Sequence, residues 1–210
     1  MKILAVSDKV IDNVHSPTIC EEFGDVDLVI ACGDLPFHYL EYIASSLGVP
    51  CFLVYGNHDL NIQGTPSGQI TRSPSGWTDL DERSVQVNGL LLAGLEGSLR
   101  YNSEGVHQYS QDEMRGKALR LMPRLLINRL RYGRFLDVLV SHAPPYGIHD
   151  GPDYAHLGFT VFLTIIDRLR PRYVLHGHQH AYGAEKTLTC RHDTQIINVY
   201  PARVIDIDPP

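Results

Sequence analysis

The chain has 210 residues, 43% of them hydrophobic and 20% charged, with a formal net charge of −6. That balance fits a folded protein with one well-packed core and excludes a disordered chain, and a single domain over residues 1–210 is expected. It leaves no electrostatic footprint for wrapping nucleic acid, and no apolar run approaches the roughly 20 residues that span a bilayer.

The opening run "ILAVSD" is too short for a secretory leader and lacks a small-residue cleavage pattern, so a cytoplasmic location is expected. It is the first of five β-rich apolar runs that each close on polar chemistry. The second, "DLVIACGD", is followed by a helix-like pattern in "PFHYLEYIASSLG". The third, "CFLVYGNHD", sets Asn57, His58 and Asp59 side by side; alone, these would make only a tight turn. "QGTPSGQITRSPSGW" reads as a loop near the site, and "RSVQVNGLLLAGL" as a hairpin turning at Asn88-Gly89. The segment "SQDEMRGKALRLMPRLLINRLRYGRF" opens with a capping-box pattern, Ser110 with Glu113, and reads as helix with a break at Pro123. Its arginines (115, 120, 124, 129, 131 and 134) read as a solvated face. "DVLVSHAPP" is the fourth run, "GFTVFLTIIDRLRP" a further helix, and "YVLHGHQH" the fifth run. The tail "KTLTCRHDTQIINVYPARVIDID" reads as two or three antiparallel strands in a meander.

Continuous apolar runs alternating with helices mark buried strands in βαβ units, which bind ligands at the carboxyl ends of their strands. With the antiparallel pieces added, the reading is α/β, with two mixed sheets and helices outside them. Cys20, Cys32, Cys51 and Cys190 form no CxxC pair and are read as reduced, mostly buried thiols.

The five strand ends carry Asp8, Asp34, Asn57 with His58, His142, and the pair His178 and His180. Carboxylates, neutral imidazoles and one amide oxygen suit divalent Mn, Fe or Zn, not calcium, which takes oxygen throughout. Singly, each residue has a plain structural reading as a cap or a hydrogen-bonded histidine.

In this order they resemble the calcineurin-like metallophosphoesterase family, whose pattern runs DxH, GD, GNH(D/E), H, GHxH. The matching stretches are "SDKV", "CGDL", "YGNHD", "SHAPP" and "HGHQH". The resemblance implies two mixed sheets packed face to face and flanked by helices, an αββα sandwich. It further implies two divalent ions bridged by Asp34, with Asn57, His142 and His178 completing one site and Asp8 and His180 belonging to the other. His58 would act as general acid toward the leaving oxygen, with Asp59 orienting its imidazole, while an activated hydroxide attacks phosphorus in line. His156, in "HLG", is the candidate substrate contact, and His176 is read as core.

One motif departs from the pattern. Val10 stands where DxH has its histidine, so the Asp8 site lacks a protein ligand unless water, Asp12 or His15 fills the place. The expected activity is hydrolysis of a small phosphoester, with nucleotide-derived compounds among the candidates and diesters favoured over monoesters. A non-catalytic scaffold that keeps the fold is the alternative. Neither nucleic acid nor membrane is expected as a partner, and oligomerisation is left open.

Overall fold

The computed structural model describes residues 1–59, 73–181 and 186–208, together with the backbone of 63–64 and 70–71. In chain order the elements are β1 (Lys2–Val6), α1 (Ile19–Phe23), β2 (Leu28–Ala31), α2 (Phe37–Leu47), β3 (Cys51–Leu53), β4 (Gln63–Gly64), β5 (Ile70–Thr71), β6 (Trp77–Asp79), β7 (Ser84–Val87), β8 (Leu90–Leu95), β9 (Ser98–Leu99), β10 (Gln108–Tyr109), α3 (Gln111–Tyr132), β11 (Val138–Ser141), α4 (Thr160–Leu169), β12 (Tyr173–His176), β13 (Leu188–Arg191), β14 (Thr194–Asn198) and β15 (Ala202–Asp206). One sheet runs β15-β1-β2-β3-β6 and the other β13-β14-β12-β11-β8-β7. In each, parallel strands are closed by antiparallel edge pairings: β15 on β1, β13 on β14 and β7 on β8.

The period-two alternation of each strand divides its side chains between layers. Ile3 and Ala5 of β1, Leu28 and Ile30 of β2, and Val138 and Val140 of β11 enter one core between the two sheets. The alternate residues face outward. Leu4, Val6, Val29 and Ala31 pack with Tyr39, Leu40 and Ile43 of α2, while Leu139 and Val174 pack with Leu121 and Leu125 of α3 and Phe162 and Ile166 of α4. Because both faces of the strands are covered, their sequences read as unbroken apolar runs. The layers are helix, sheet, sheet, helix, as expected.

Several local expectations meet their physical cause here. The β7–β8 hairpin turns through Asn88 (φ 48°) and Gly89 (φ 89°), the paired positive angles of a tight hairpin turn. Ser110 and Glu113 form a reciprocal capping box, and Gly133 ends α3 in the left-handed region at φ 78°. Two expectations are corrected. α3 does not break at Pro123 but runs through it, held by Leu121 and Leu125 in the core and by the buried Lys117, whose ammonium lies 2.6 Å from Asp81 and 3.2 Å from Glu82. The tail is not a meander, for β13 and β14 form a hairpin in one sheet while β15 crosses to the other and pairs with β1.

The arginine face is partly engaged. Arg120 pairs with Glu82 through two hydrogen bonds, Arg115 bonds Asp112 and Arg134 bonds Asp137, while Leu119, Leu126, Ile127 and Leu130 stand exposed among them. The four cysteines are free; Cys32 and Cys51 are buried, whereas Cys20 and Cys190 are exposed. Much of the expected loop 63–77 lies outside the described residues.

A proline inside a helix removes one backbone hydrogen bond and crowds the carbonyl four residues earlier. Since Pro123 is exposed, Pro123→Ala is expected to raise unfolding stability by about 1–2 kcal/mol, net of the unfolded-chain entropy that proline removes. Urea unfolding checks this, and an unchanged or lower midpoint would show that the proline is accommodated without strain.

Candidate metal centre

The strand ends of the two sheets meet at one edge of the sandwich. Asp8 follows β1, Asp34 follows β2, Asn57 and His58 follow β3, His142 follows β11, and His178 and His180 follow β12. Asp8, Asp34 and His178 adopt positive φ of 64°, 57° and 67°, an uncommon conformation for residues with a Cβ, which turns each side chain sharply at its strand end. The motif glycines make room for them. A Cβ on Gly56 would strike the Asp34 carboxylate and lie 2.6 Å from His142 Cε1, and one on Gly177 would strike Ser7 and Asp8.

At the centre of this edge three atoms surround His142 Nε2. His142 Nε2 lies 3.0 Å from Asn57 Oδ1, 3.1 Å from His178 Nδ1 and 3.4 Å from Asp34 Oδ2. The far nitrogens of both rings face carbonyls: His142 Nδ1–H donates to Cys32 O at 2.7 Å and His178 Nε2–H to Ala155 O at 2.9 Å. Those bonds commit the two outer nitrogens and turn the inner nitrogens toward each other. Electron-rich atoms packed this closely call for positive charge among them, a proton or a cation. Donor atoms bound to a shared ion at about 2.0–2.2 Å lie about 3.0–3.4 Å from each other, and the three separations above fall in that range. Asn57, His178 and Asp34 each stand within ligand–ligand distance of His142 Nε2, and their donor types suit a divalent ion of the Mn, Fe or Zn type.

A second group forms beside it. Ligand atoms of Asp8, Asp34 and His142 lie within 4.8 Å of one another, and His180 Nε2 is 3.7 Å from Asp8 Oδ1. Asp8 also accepts hydrogen bonds from Ser7 Oγ and from the His178 amide at 3.0 Å, which hold its carboxylate in place. Val10 is no part of this group; it packs, partly buried, against the apolar layer under α1 and α2. Lys9 is exposed. His15, a possible substitute ligand, instead packs its ring against Tyr42 at 4.8 Å and Tyr39 at 5.7 Å.

The charge balance agrees with the geometry. Burial opposes ionisation of Asp34, but His142 and the His58 amide outweigh it and draw the carboxyl down to about 2. Burial likewise lowers His142, yet Asp34 and then Asp8 reverse this and push it up to about 10. In the absence of an ion, a proton on His142 supplies the positive charge. His178 falls to about 4 through burial and the neighbouring His142.

Asp8, Asp34, Asn57, His58, His156, His178 and His180 line one cleft of about 260 Å³, with His142 buried behind it. His156 is held by Asp153, whose carboxylate accepts its Nδ1–H at 2.8 Å, and its ring centre lies 5.0 Å from that of His178. The structure corrects the part expected of Asp59. Its carboxylate does not turn to His58 in any described hydrogen bond; it accepts from the amides of Gly56 (2.7 Å), Asp34 (2.8 Å) and Leu35 (3.2 Å). Asp59 thus ties the GNHD turn to the GD turn. His176 is buried as expected, and it accepts from His149 Nδ1 at 3.0 Å. Sequence reasoning missed Tyr101, which lines the cleft and whose hydroxyl lies 3.0 Å from Asn57 Nδ2. No motif announces it.

With this geometry in view, comparison with known proteins decides the family. The calcineurin-like phosphoesterase pattern matches residues 1–182. The chain belongs to that family. The solved structure of a phosphopantetheinyl hydrolase from Mycobacterium tuberculosis is 15% identical, covers 99% of this chain and 96% of its own, and superposes with a TM-score of 0.52. Vacuolar protein sorting 29 from Cryptosporidium parvum is 13% identical over 94% of this chain and 72% of its own, with a TM-score of 0.44. Among curated proteins, no sequence matches. A metal-dependent phosphoesterase chemistry follows from family membership, and no helix among the described residues is long and apolar enough to cross a membrane.

The protonated His142 gives the metal-free protein a distinctive pH response. Its proton is bound more tightly in the folded state, so the stability it contributes is whole below its ordinary value of 6.5 and is lost as pH rises through about 10. Unfolding free energy of chelator-treated protein is expected to fall across that window, and manganese to flatten the dependence. Identical pH profiles with and without manganese would argue against this coupling.

Proposed function

We propose that this protein hydrolyses small phosphoesters, preferring diesters, at a centre of two divalent ions. The observation that carries the reading is the gathering of Asn57 Oδ1, His178 Nδ1 and Asp34 Oδ2 around His142 Nε2, beside a cleft rimmed by His58. In this reading Asn57, His142 and His178 would hold one ion and Asp8 and His180 the other, with Asp34 shared between them. When bound, the ions supply Lewis acidity that activates water and offsets charge on the phosphoryl oxygens.

The chain's own residues do the rest. Asp34 is anchored by the His58 amide, which donates to its Oδ1 at 2.8 Å, so the root of His58 is tied to the bridging carboxylate. From there the exposed His58 imidazole reaches into the cleft to protonate a departing alkoxide, which diester cleavage needs most. Asp59 is a positioning residue, and His156 faces the outer part of the substrate. A cleft of about 260 Å³ suits a compact ester better than a duplex, in keeping with the net charge of −6. Four free cysteines are in keeping with a cytoplasmic setting.

Val10 favours one other reading, a weakly catalytic binding protein that holds a single ion. The two are separated by comparing wild type and His58→Ala on bis(p-nitrophenyl) phosphate and p-nitrophenyl phosphate with added manganese. A phosphodiesterase is expected to prefer the first probe and to lose about 10²-fold or more of its kcat on the substitution, with its metal content retained. Equal, negligible rates for both proteins would favour the binding role, and faster turnover of the monoester would reverse the preference.

A further inference from the structure

We propose that Tyr101 contacts the substrate, its phenol donating a hydrogen bond to a phosphoryl oxygen while its oxygen fixes the amide of Asn57. This rests on the phosphoesterase reading above. Tyr101 sits just past β9, on a loop whose mount is rigid: the amides of Tyr101 and Asn102 both donate to the buried Gln108 side chain, at 3.2 and 3.1 Å. At the base of that loop, Gly97 N–H donates to Tyr55 O at 2.8 Å and Gly97 O accepts from Ala143 N–H at 3.3 Å. Tyr55 and Ala143 lie next to the GNHD turn and to His142, so the loop is fastened to both sides of the metal centre.

The hydrogen-bond roles then follow one from another. Asn57 must turn Oδ1 inward to belong to the acceptor cluster, which leaves Nδ2 to donate to the Tyr101 hydroxyl at 3.0 Å. A phenol oxygen that accepts from an amide keeps its own proton free to rotate about the C–O bond. No described residue accepts that proton, and Tyr101 is 44% exposed, lining the cleft. Among the described residues, the lining of the cleft contains no lysine or arginine. Around its carboxylates, an entering phosphoryl oxygen would be met by imidazoles, by the ions and by this neutral donor. Aimed at oxygens that gain charge as the ester cleaves, such a donor acts more on kcat than on KM.

Tyr101→Phe removes the hydroxyl and keeps the ring. On bis(p-nitrophenyl) phosphate with saturating manganese, the variant is expected to lose about 10- to 100-fold in kcat with little change in KM. Its manganese stoichiometry should be retained, and its affinity for inorganic phosphate, measured by calorimetry on the manganese-loaded protein, should weaken several-fold. Unchanged kcat and phosphate affinity would overturn the proposal, as would a variant whose only defect is weaker manganese binding, repaired in full at saturation. If wild type turns over neither aryl phosphate, the phosphoesterase reading fails, and the phosphate calorimetry still decides whether Tyr101 contacts the anion.

Discussion

Everything at the site depends on the two face-packed sheets bringing their strand ends close enough for His142 of one to donate to the Cys32 carbonyl of the other. That bond, 2.7 Å long and buried, joins residues 110 positions apart, and a second crossing, from the His178 amide to Asp8, joins residues 170 apart. Each contributes only on the order of 1–3 kcal/mol by itself. Their effect is geometric. With Nδ1 committed to Cys32, the His142 ring can aim only Nε2 at Asp34, Asn57 and His178, and the acceptor cluster follows from that aim.

Such a cluster is costly to assemble in a bare protein. Burial penalises every charge placed there, and the backbone at Asp8, Asp34 and His178 is strained besides, on the order of 1 kcal/mol or more for each residue. The fold offsets this with cores on both faces of each sheet and with ties such as Asp59, which gathers three amides from two turns. Burial and Asp34 raise the carboxyl of Asp59 to about 6, a sign that the tie is held against its own electrostatics. Strain and repulsion concentrated at one edge, with ordinary packing elsewhere, is the pattern of a site organised for a ligand not of the chain's own making.

What could be read from the sequence was the part written in periodicity and in motif spacing. Runs such as "LVIAC" and "VLVS" are buried on both faces, so their apolar continuity announced strands, and the polar residues just beyond announced the edge. Tyr101 could not be read, because it reaches the cleft through a loop fastened by Gln108 and Gly97, contacts that leave no pattern in "SLRYNSEG". The role of Asp59 was misread for a related reason: its neighbour in sequence is His58, but its partners are backbone amides, which every residue carries. Pro123 and the tail show the other limit. Tertiary packing overrode the local helix-breaking signal at Pro123, and a strand that changes sheets looks, in sequence, like one that does not.

The two halves of the centre are unequal, and the inequality has a direction. On the Asn57 side the donors are buried and each imidazole is locked by a carbonyl, so the geometry exists before any ion arrives. On the Asp8 side Val10 has turned into the apolar layer, and His180, its side chain 48% exposed, rests on the ring of Tyr200 at 4.6 Å. Fewer protein donors leave more of an ion's coordination open to solvent and to substrate, and they weaken its retention. On the reading proposed above, such a centre would keep one position fixed as a template and let the other exchange. Phosphoryl charge at the open side would then be balanced in part by neutral and imidazole donors around the rim, which is where Tyr101, His58 and His156 stand.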